Sequence, residues 1–170
     1  MTYWKRQDLA LDIIAKLKAN GLKVSLDIYG RGEEELKIRN RIIKLNLSDE
    51  VSIKGSISHS QVTSVLSKYQ VAMFLYDASN LGNAMWEAAL SGRLILTRDT
   101  GKTTNIFNKK NAIIMSDENT DQVVRDVLEL VNHNFTLAQE SRRTIYSLLP
   151  NWQDRLEEEM RLISCMNLYE

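Results

Sequence analysis

Residues 71–97 read VAMFLYDASNLGNAMWEAALSGRLILT, and the order of residue types in this stretch decides the fold. Val71 to Tyr76 is an apolar run of strand length with little alternation between apolar and polar positions, the pattern of a strand covered on both faces. A small polar loop follows. A helix is then expected from near Gly82 to Leu90, closed at Ser91-Gly92, where a glycine can end a helix. Leu94 to Thr97 is a second apolar run. Strand, loop, helix and strand in so short a span form the unit from which parallel sheets are built.

The same alternation continues on either side. Val24 to Tyr29, Val51 to Lys54 and Ala112 to Met115 read as further strands, again taken as covered on both faces. Leu9, Ile13 and Leu17 line one helix. Leu36, Ile42, Ile43 and Leu45 fall within a second. Val62, Val65, Leu66 and Tyr69 repeat at helical spacing in a third, with Ser58 or Ser60 as its cap. Val123, Val124, Val127, Leu128 and Val131 stripe another. Two helices close the chain, separated by Pro150, the last carrying Trp152, Leu156, Met160 and Ile163. The expectation is a single domain over residues 1–170. Its fold class is α/β: a doubly wound, Rossmann-like parallel sheet of about five strands flanked by helices, with a helical C-terminal tail.

Composition narrows the function. Hydrophobic residues are 44% and charged residues 26% of 170, the balance of a soluble globular chain. Basic and acidic residues number 22 each, which disfavours a domain that grips nucleic acid or an anionic membrane by bulk charge. The single cysteine, Cys165, excludes an intrachain disulfide framework, and the separated His59 and His133 offer no metal centre. Neither a membrane-length apolar run nor a signal-peptide pattern is present, so a cytoplasmic setting is expected.

In an open α/β sheet, ligands bind beyond the carboxyl ends of the strands. The turn Gly30-Arg31-Gly32 ends one strand; it permits close approach of an anion to the backbone, or is a plain tight turn. Asn83 and Glu87 lie four apart on one helix face. A carboxylate there can accept hydrogen bonds from vicinal sugar hydroxyls while free N–H groups at the helix start face a phosphate; the alternative is that both residues serve only the helix end. Lys5 and Arg6 could reach a phosphate or simply be solvated. Gly101-Lys102-Thr103 is similar to the end of a phosphate-binding loop, but Leu96 stands where its first glycine belongs, so a nucleoside triphosphatase is rejected. His59 is assigned to surface or capping use.

In chain order these segments resemble the C-terminal, nucleotide-sugar-binding half of family 4 (group 1) glycosyltransferases of the two-domain GT-B fold. Lys5-Arg6-Gln7-Asp8-Leu9 is similar to the family's Lys-Gly-x-Asp-Leu, and Ile28 to Glu33 to its strand-then-Gly-x-Gly-x-Glu turn. Val51 to Gly55 is similar to its Val-x-Phe-x-Gly strand. Ser79 to Gly92 follows its Glu-Gly-Phe-Gly-x-x-x-x-Glu-Ala-x-x-x-Gly segment, and Thr97 to Gly101 its next strand-end turn.

The resemblance implies a retaining, metal-independent transferase of polysaccharide biosynthesis, with a nucleotide diphosphate sugar as donor and no cofactor. It assigns Glu87 to the ribose hydroxyls, Lys5 to the diphosphate, and Asn80, Leu81, Gly82 and Asn83 to the donor sugar and phosphates. Gly30 and Gly32 would admit the donor to the backbone; Lys54 and Gly55 lie where the nucleobase rests. Two departures stand out. Ser79 replaces the family's first glutamate, with Asp77 nearby as a substitute carboxylate. The family's opening strand, central in the sheet, and its acceptor-binding N-terminal domain have no counterpart here. A saccharide or lipid-linked acceptor, attachment of the full-length parent to the inner membrane face, and self-association through the open strand position follow as expectations. A non-catalytic scaffold derived from such a domain is the alternative.

Overall fold

The structure, a computed structural model, describes residues 1–78, 81–132, 136–148 and 157. Five strands are separated by α-helices, except for β4 and β5, which a short 3₁₀ turn links: β1 (Leu26–Tyr29), β2 (Val51–Gly55), β3 (Val71–Phe74), β4 (Leu94–Arg98) and β5 (Ala112–Met115). The helices are α1 (Gln7–Ala19), α2 (Glu35–Lys44), α3 (Val62–Leu66), α4 (Asn83–Leu90), α5 (Thr120–Asn132) and α6 (Thr136–Leu148). Every strand pairing is parallel, as the covered apolar runs and the intervening helices require. Among the described residues no helix is long and apolar enough to cross a membrane.

The strands hydrogen-bond as two groups, β1-β2 and β3-β4-β5. In β4 and β5, alternate residues enter opposite layers. Leu94, Leu96, Ile113 and Met115 pack with Ile13 and Leu17 of α1 and Val123 and Val124 of α5. Ile95, Ala112 and Ile114 turn to the other face, against Met85, Ala88 and Ala89 of α4 and Ile145 of α6. These strands are covered on both sides, as read from the sequence.

The β1-β2 pair differs. Leu11 and Ile14 of α1 with Ile38 and Ile42 of α2 cover one face, over Ile28 and Val51. Ser52 and Lys54 of β2 are exposed, so the expectation of two covered faces fails here: Val51-Ser52-Ile53-Lys54 alternates because α1 and α2 both pack onto the same side. Of the residues expected within the second helix, Leu36, Ile42 and Ile43 lie in α2 and Leu45 caps its end. Ile38 and Ile42, four apart, are the buried pair, whereas Leu36 and Ile43 are 70% and 66% exposed. The third helix stops at Leu66, short of Tyr69, and is led in by a 3₁₀ turn whose Ser58 and Gln61 form a capping box. The helix expected around Trp152 and the break at Pro150 lie outside the described residues.

Helix α1 joins the two groups. Its Leu9, Ile13 and Leu17 serve one core and its Leu11 and Ile14 the other. Arg41 of α2 pairs with Asp12 at 2.6 Å, and Lys16 pairs with Asp121 of α5 at the same distance. Between the groups, β1 and β3 present edges to each other without pairing. Leu26 and Gly30 donate toward the β2 side, to Glu50 and Gly55, and Gln70 accepts from Leu94 on the β4 side. The main chains of Asp27, Tyr29, Val71 and Met73 therefore turn toward the space between. Side chains span that space: the Tyr29 and Tyr69 hydroxyls are 2.8 Å apart, and Tyr69 donates to Asp27 at 2.5 Å.

Candidate functional site

Lys5 ends the 3₁₀ turn Tyr3–Lys5, close to the exit of β3. Its ammonium lies 5.4 Å from the Trp4 ring centroid and 5.5 Å from that of Tyr76, within the range of a cation–π attraction. The two rings meet edge to face at 5.3 Å, and Phe74 packs on Tyr76 at 6.1 Å. Burial raises the Tyr76 hydroxyl above the ordinary tyrosine range, so the ring stays neutral beneath the ammonium. Among the described residues no carboxylate lies within ion-pair distance of Lys5.

Arg6, next in the chain, is left-handed at φ 51° and precedes α1. Its guanidinium reaches Asp8 at 3.1 Å, Asp77 at 3.1 Å and Glu118 at 2.5 Å. Arg98, at the end of β4, contacts the same Asp77 and lies 3.2 Å from Glu118. Hydrogen bonding to Arg6 is the main cause that holds Glu118 below the usual carboxylate range, and Glu118, then Asp8, raises Arg6. Asp77 is thus held by two arginines rather than standing free beside position 79. Thr100 donates to the carbonyls of Tyr76 and Ala78 at 3.2 and 2.9 Å.

At the ends of β1 and β2, the Gly30 N–H donates to the Gly55 carbonyl at 2.7 Å. Gly30 (φ 116°) has open space where a side chain would stand. At Gly32 the Met1 main chain fills that space, and the Met1 amino group donates to the Arg31 carbonyl. Lys54 turns to Asp27 at 3.5 Å. Burial, then the Asp27 hydrogen bond, raises the Tyr69 phenol, which keeps its proton.

Helix α4 starts after Gly82, whose backbone is extended; Asn83 is its exposed first residue. The Trp86 indole donates to the Leu81 carbonyl at 3.1 Å and fixes the approach to the helix. Glu87, one turn on, has Oε1 3.4 Å from Nδ1 of His59, which lies in the turn after β2. Glu87 and His59 bring an element following β2 onto one following β3, so the described part of the candidate site reaches across both strand groups. Ser79 and Asn80 lie outside the described residues. Gly101-Lys102-Thr103 leads into a short 3₁₀ turn, not a long helix, in keeping with its rejection as a phosphate loop. Sequence reasoning gave His59 no partner and did not single out Glu118 or Arg98; neither has a local spacing signal.

The fold is that of the C-terminal domain of a GT-B glycosyltransferase. TarM from S. aureus, solved in complex with fondaparinux, α-GlcNAc-glycerol and UDP, superposes with a TM-score of 0.79 at 26% identity over 95% of this chain and 33% of that one. The pneumococcal O-GlcNAc transferase GtfA, solved with UDP and GlcNAc, gives 0.76 at 21% identity, covering 96% of this chain and 33% of its own. Residues 1–147 match the family described as "Glycosyl transferases group 1", and the chain belongs to it.

Among curated proteins, it is 26% identical over 130 residues to a UDP-N-acetylglucosamine–peptide N-acetylglucosaminyltransferase GtfA subunit of Streptococcus gordonii, covering 74% of this chain and 25% of that protein. It is 28% identical over 137 residues to a poly(ribitol-phosphate) α-N-acetylglucosaminyltransferase of Staphylococcus aureus, covering 79% and 27%. The chain spans about a quarter of the length of these two relatives.

Proposed function

We propose that this chain is the donor-binding part of a retaining, metal-independent glycosyltransferase. The observation that carries the reading is the placement of Glu87, one turn inside α4 and facing the turn after β2 through His59. A carboxylate there accepts hydrogen bonds from both hydroxyls of a ribose. Lys5, whose ammonium meets only aromatic faces among the described residues, supplies positive charge to a diphosphate. Gly30, Lys54 and Gly55, and Asn80 to Asn83 complete the donor contacts, with Ser79 at the family's glutamate position; Gly32 is covered by the Met1 main chain. The names of the relatives favour UDP-N-acetylglucosamine as donor.

In the reaction, the bond from the sugar's anomeric carbon to the diphosphate oxygen breaks, the acceptor hydroxyl's oxygen forms the new bond, and its proton passes to the departing diphosphate. The diphosphate leaves as an anion held by Lys5 and by helix N-termini. The saccharide or lipid-linked acceptor is held by a separate N-terminal domain, and a strand from the same polypeptide occupies the place between β1 and β3. Left open, that place favours self-association. The full-length parent works in the cytoplasm, at the inner membrane face, in polysaccharide synthesis.

Titration calorimetry against UDP, GDP, ADP and UDP-N-acetylglucosamine tests the donor site. Saturable UDP binding, weakened about tenfold or more by Glu87→Ala, is expected from the loss of a charge-assisted hydrogen-bond pair. A folded chain that binds none of these nucleotides would sink the reading. Ser79 favours a second one, a non-catalytic partner subunit; turnover by the full-length parent separates the two.

A further inference from the structure

We propose that Arg6 and Arg98 are positioning residues of the donor site, a paired clamp that sets the Lys5 ammonium and the entry to the β3–α4 loop. The inference rests on the donor-site reading above.

The Arg6 backbone is left-handed. That conformation is unfavourable for a residue with a Cβ, so its retention requires compensating contacts. The guanidinium supplies them, with Asp8, Asp77 and Glu118 all inside 3.2 Å. The same residue closes the turn that displays Lys5: the Arg6 N–H donates to the Tyr3 carbonyl at 3.1 Å. Anchoring the Arg6 side chain therefore orients the residue beside it.

The second half of the clamp acts on the exit of β3. Asp77 is gripped by both arginines, and its N–H donates to the Trp4 carbonyl at 2.8 Å. Thr100 holds the carbonyls on either side. Three successive residues leading toward Leu81 and Gly82 are thus tied down. Glu118, beyond β5, accepts from both guanidiniums as well.

Burial and charge distinguish this from a phosphate site. The arginine side chains are 17% and 13% exposed, and the three carboxylates 39% to 45%. Two guanidiniums against three carboxylates leave no positive charge to spare for a phosphate. The clamp sets geometry, and Lys5 carries the charge.

The test compares UDP with uridine by NMR titration of the wild-type chain, Arg6→Gly, Arg98→Ala and Glu118→Gln, with thermal unfolding in parallel. Uridine reports the ribose contact at Glu87; the ratio of UDP to uridine affinity reports the diphosphate end. Arg6→Gly and Arg98→Ala are expected to lower that ratio about tenfold, and Glu118→Gln, which keeps an acceptor, about threefold. A network that only adds stability would lower the melting temperature and leave the ratio unchanged. An unchanged ratio in folded variants overturns the clamp while the donor site stands. Failure of the folded wild-type chain to bind either ligand overturns the donor site and, with it, the clamp. Should Arg98→Ala fail to fold, Arg6→Gly, which suits the left-handed backbone, and Glu118→Gln still decide.

Discussion

The two strand groups are built from the same unit, a parallel strand followed by a helix, and differ in what covers them. β4 and β5 lie between α1 and α5 on one face and α4 and α6 on the other, with all but Arg98 of their residues buried. β1 and β2 carry α1 and α2 on one face and leave Ser52 and Lys54 exposed. The first group forms a sealed core; the second depends on α1 for its attachment. Residues at the carboxyl ends of both contribute to the candidate site, so it joins a rigid platform to a less deeply buried one.

Truncation should separate the groups most clearly. Leu96→Ala, at a fully buried position in β4, is expected to cost about 3 kcal/mol through lost transfer energy and a residual cavity. Ile53→Ala, half-buried in β2, should cost roughly 1 kcal/mol. Urea unfolding of the two variants measures the difference, and equal losses would break the comparison.

Amide exchange sharpens it at the backbone. The N–H groups of Asp27, Tyr29, Val71 and Met73 should exchange on the order of a hundredfold faster than those of Ile113 and Met115, whose main chains face β4. Uniform protection across β1, β3 and β5 would show that the edges are closed in solution.

The smallest effect concerns the ion-pair network that ties the N-terminal turn to the β3–β5 group. The folded Glu118 carboxyl titrates below its unfolded value, so its contribution is present above about pH 4.3 and is lost as pH falls through the folded value. Because Glu118 is 45% exposed, the effect should stay below about 1 kcal/mol. Thermal melts between pH 3 and 6, run on the wild type and Glu118→Gln, should converge at the acid end; parallel curves would remove the linkage.

What could be read in advance follows the range over which each feature is specified. The β3–α4–β4 unit and the placement of Glu87 behind Asn83 were legible because strand, loop and helix are written in adjacent residues. The alternation Val51-Ser52-Ile53-Lys54 was also legible, but reading all five strands alike hid it. In α2, Leu36 and Ile43 look as apolar as Ile38 and Ile42; only the direction from which α1 packs selects the buried pair. Arg6 meets Glu118 112 residues away, and no local spacing announces such a pair. His59 and Glu87 likewise belong to different strand–helix units.

By itself the sequence determined the strand–helix alternation, the parallel sense of the sheet and the family motifs, because periodicity, turn residues and helix stops act over a few neighbouring residues. Tertiary structure decided how the strands divide into two groups, which face of β1-β2 stays open and which carboxylates engage Arg6 and Arg98. Those outcomes depend on how α1 packs across both groups and how the strand ends converge, and contacts between distant segments exist only once the helices have packed.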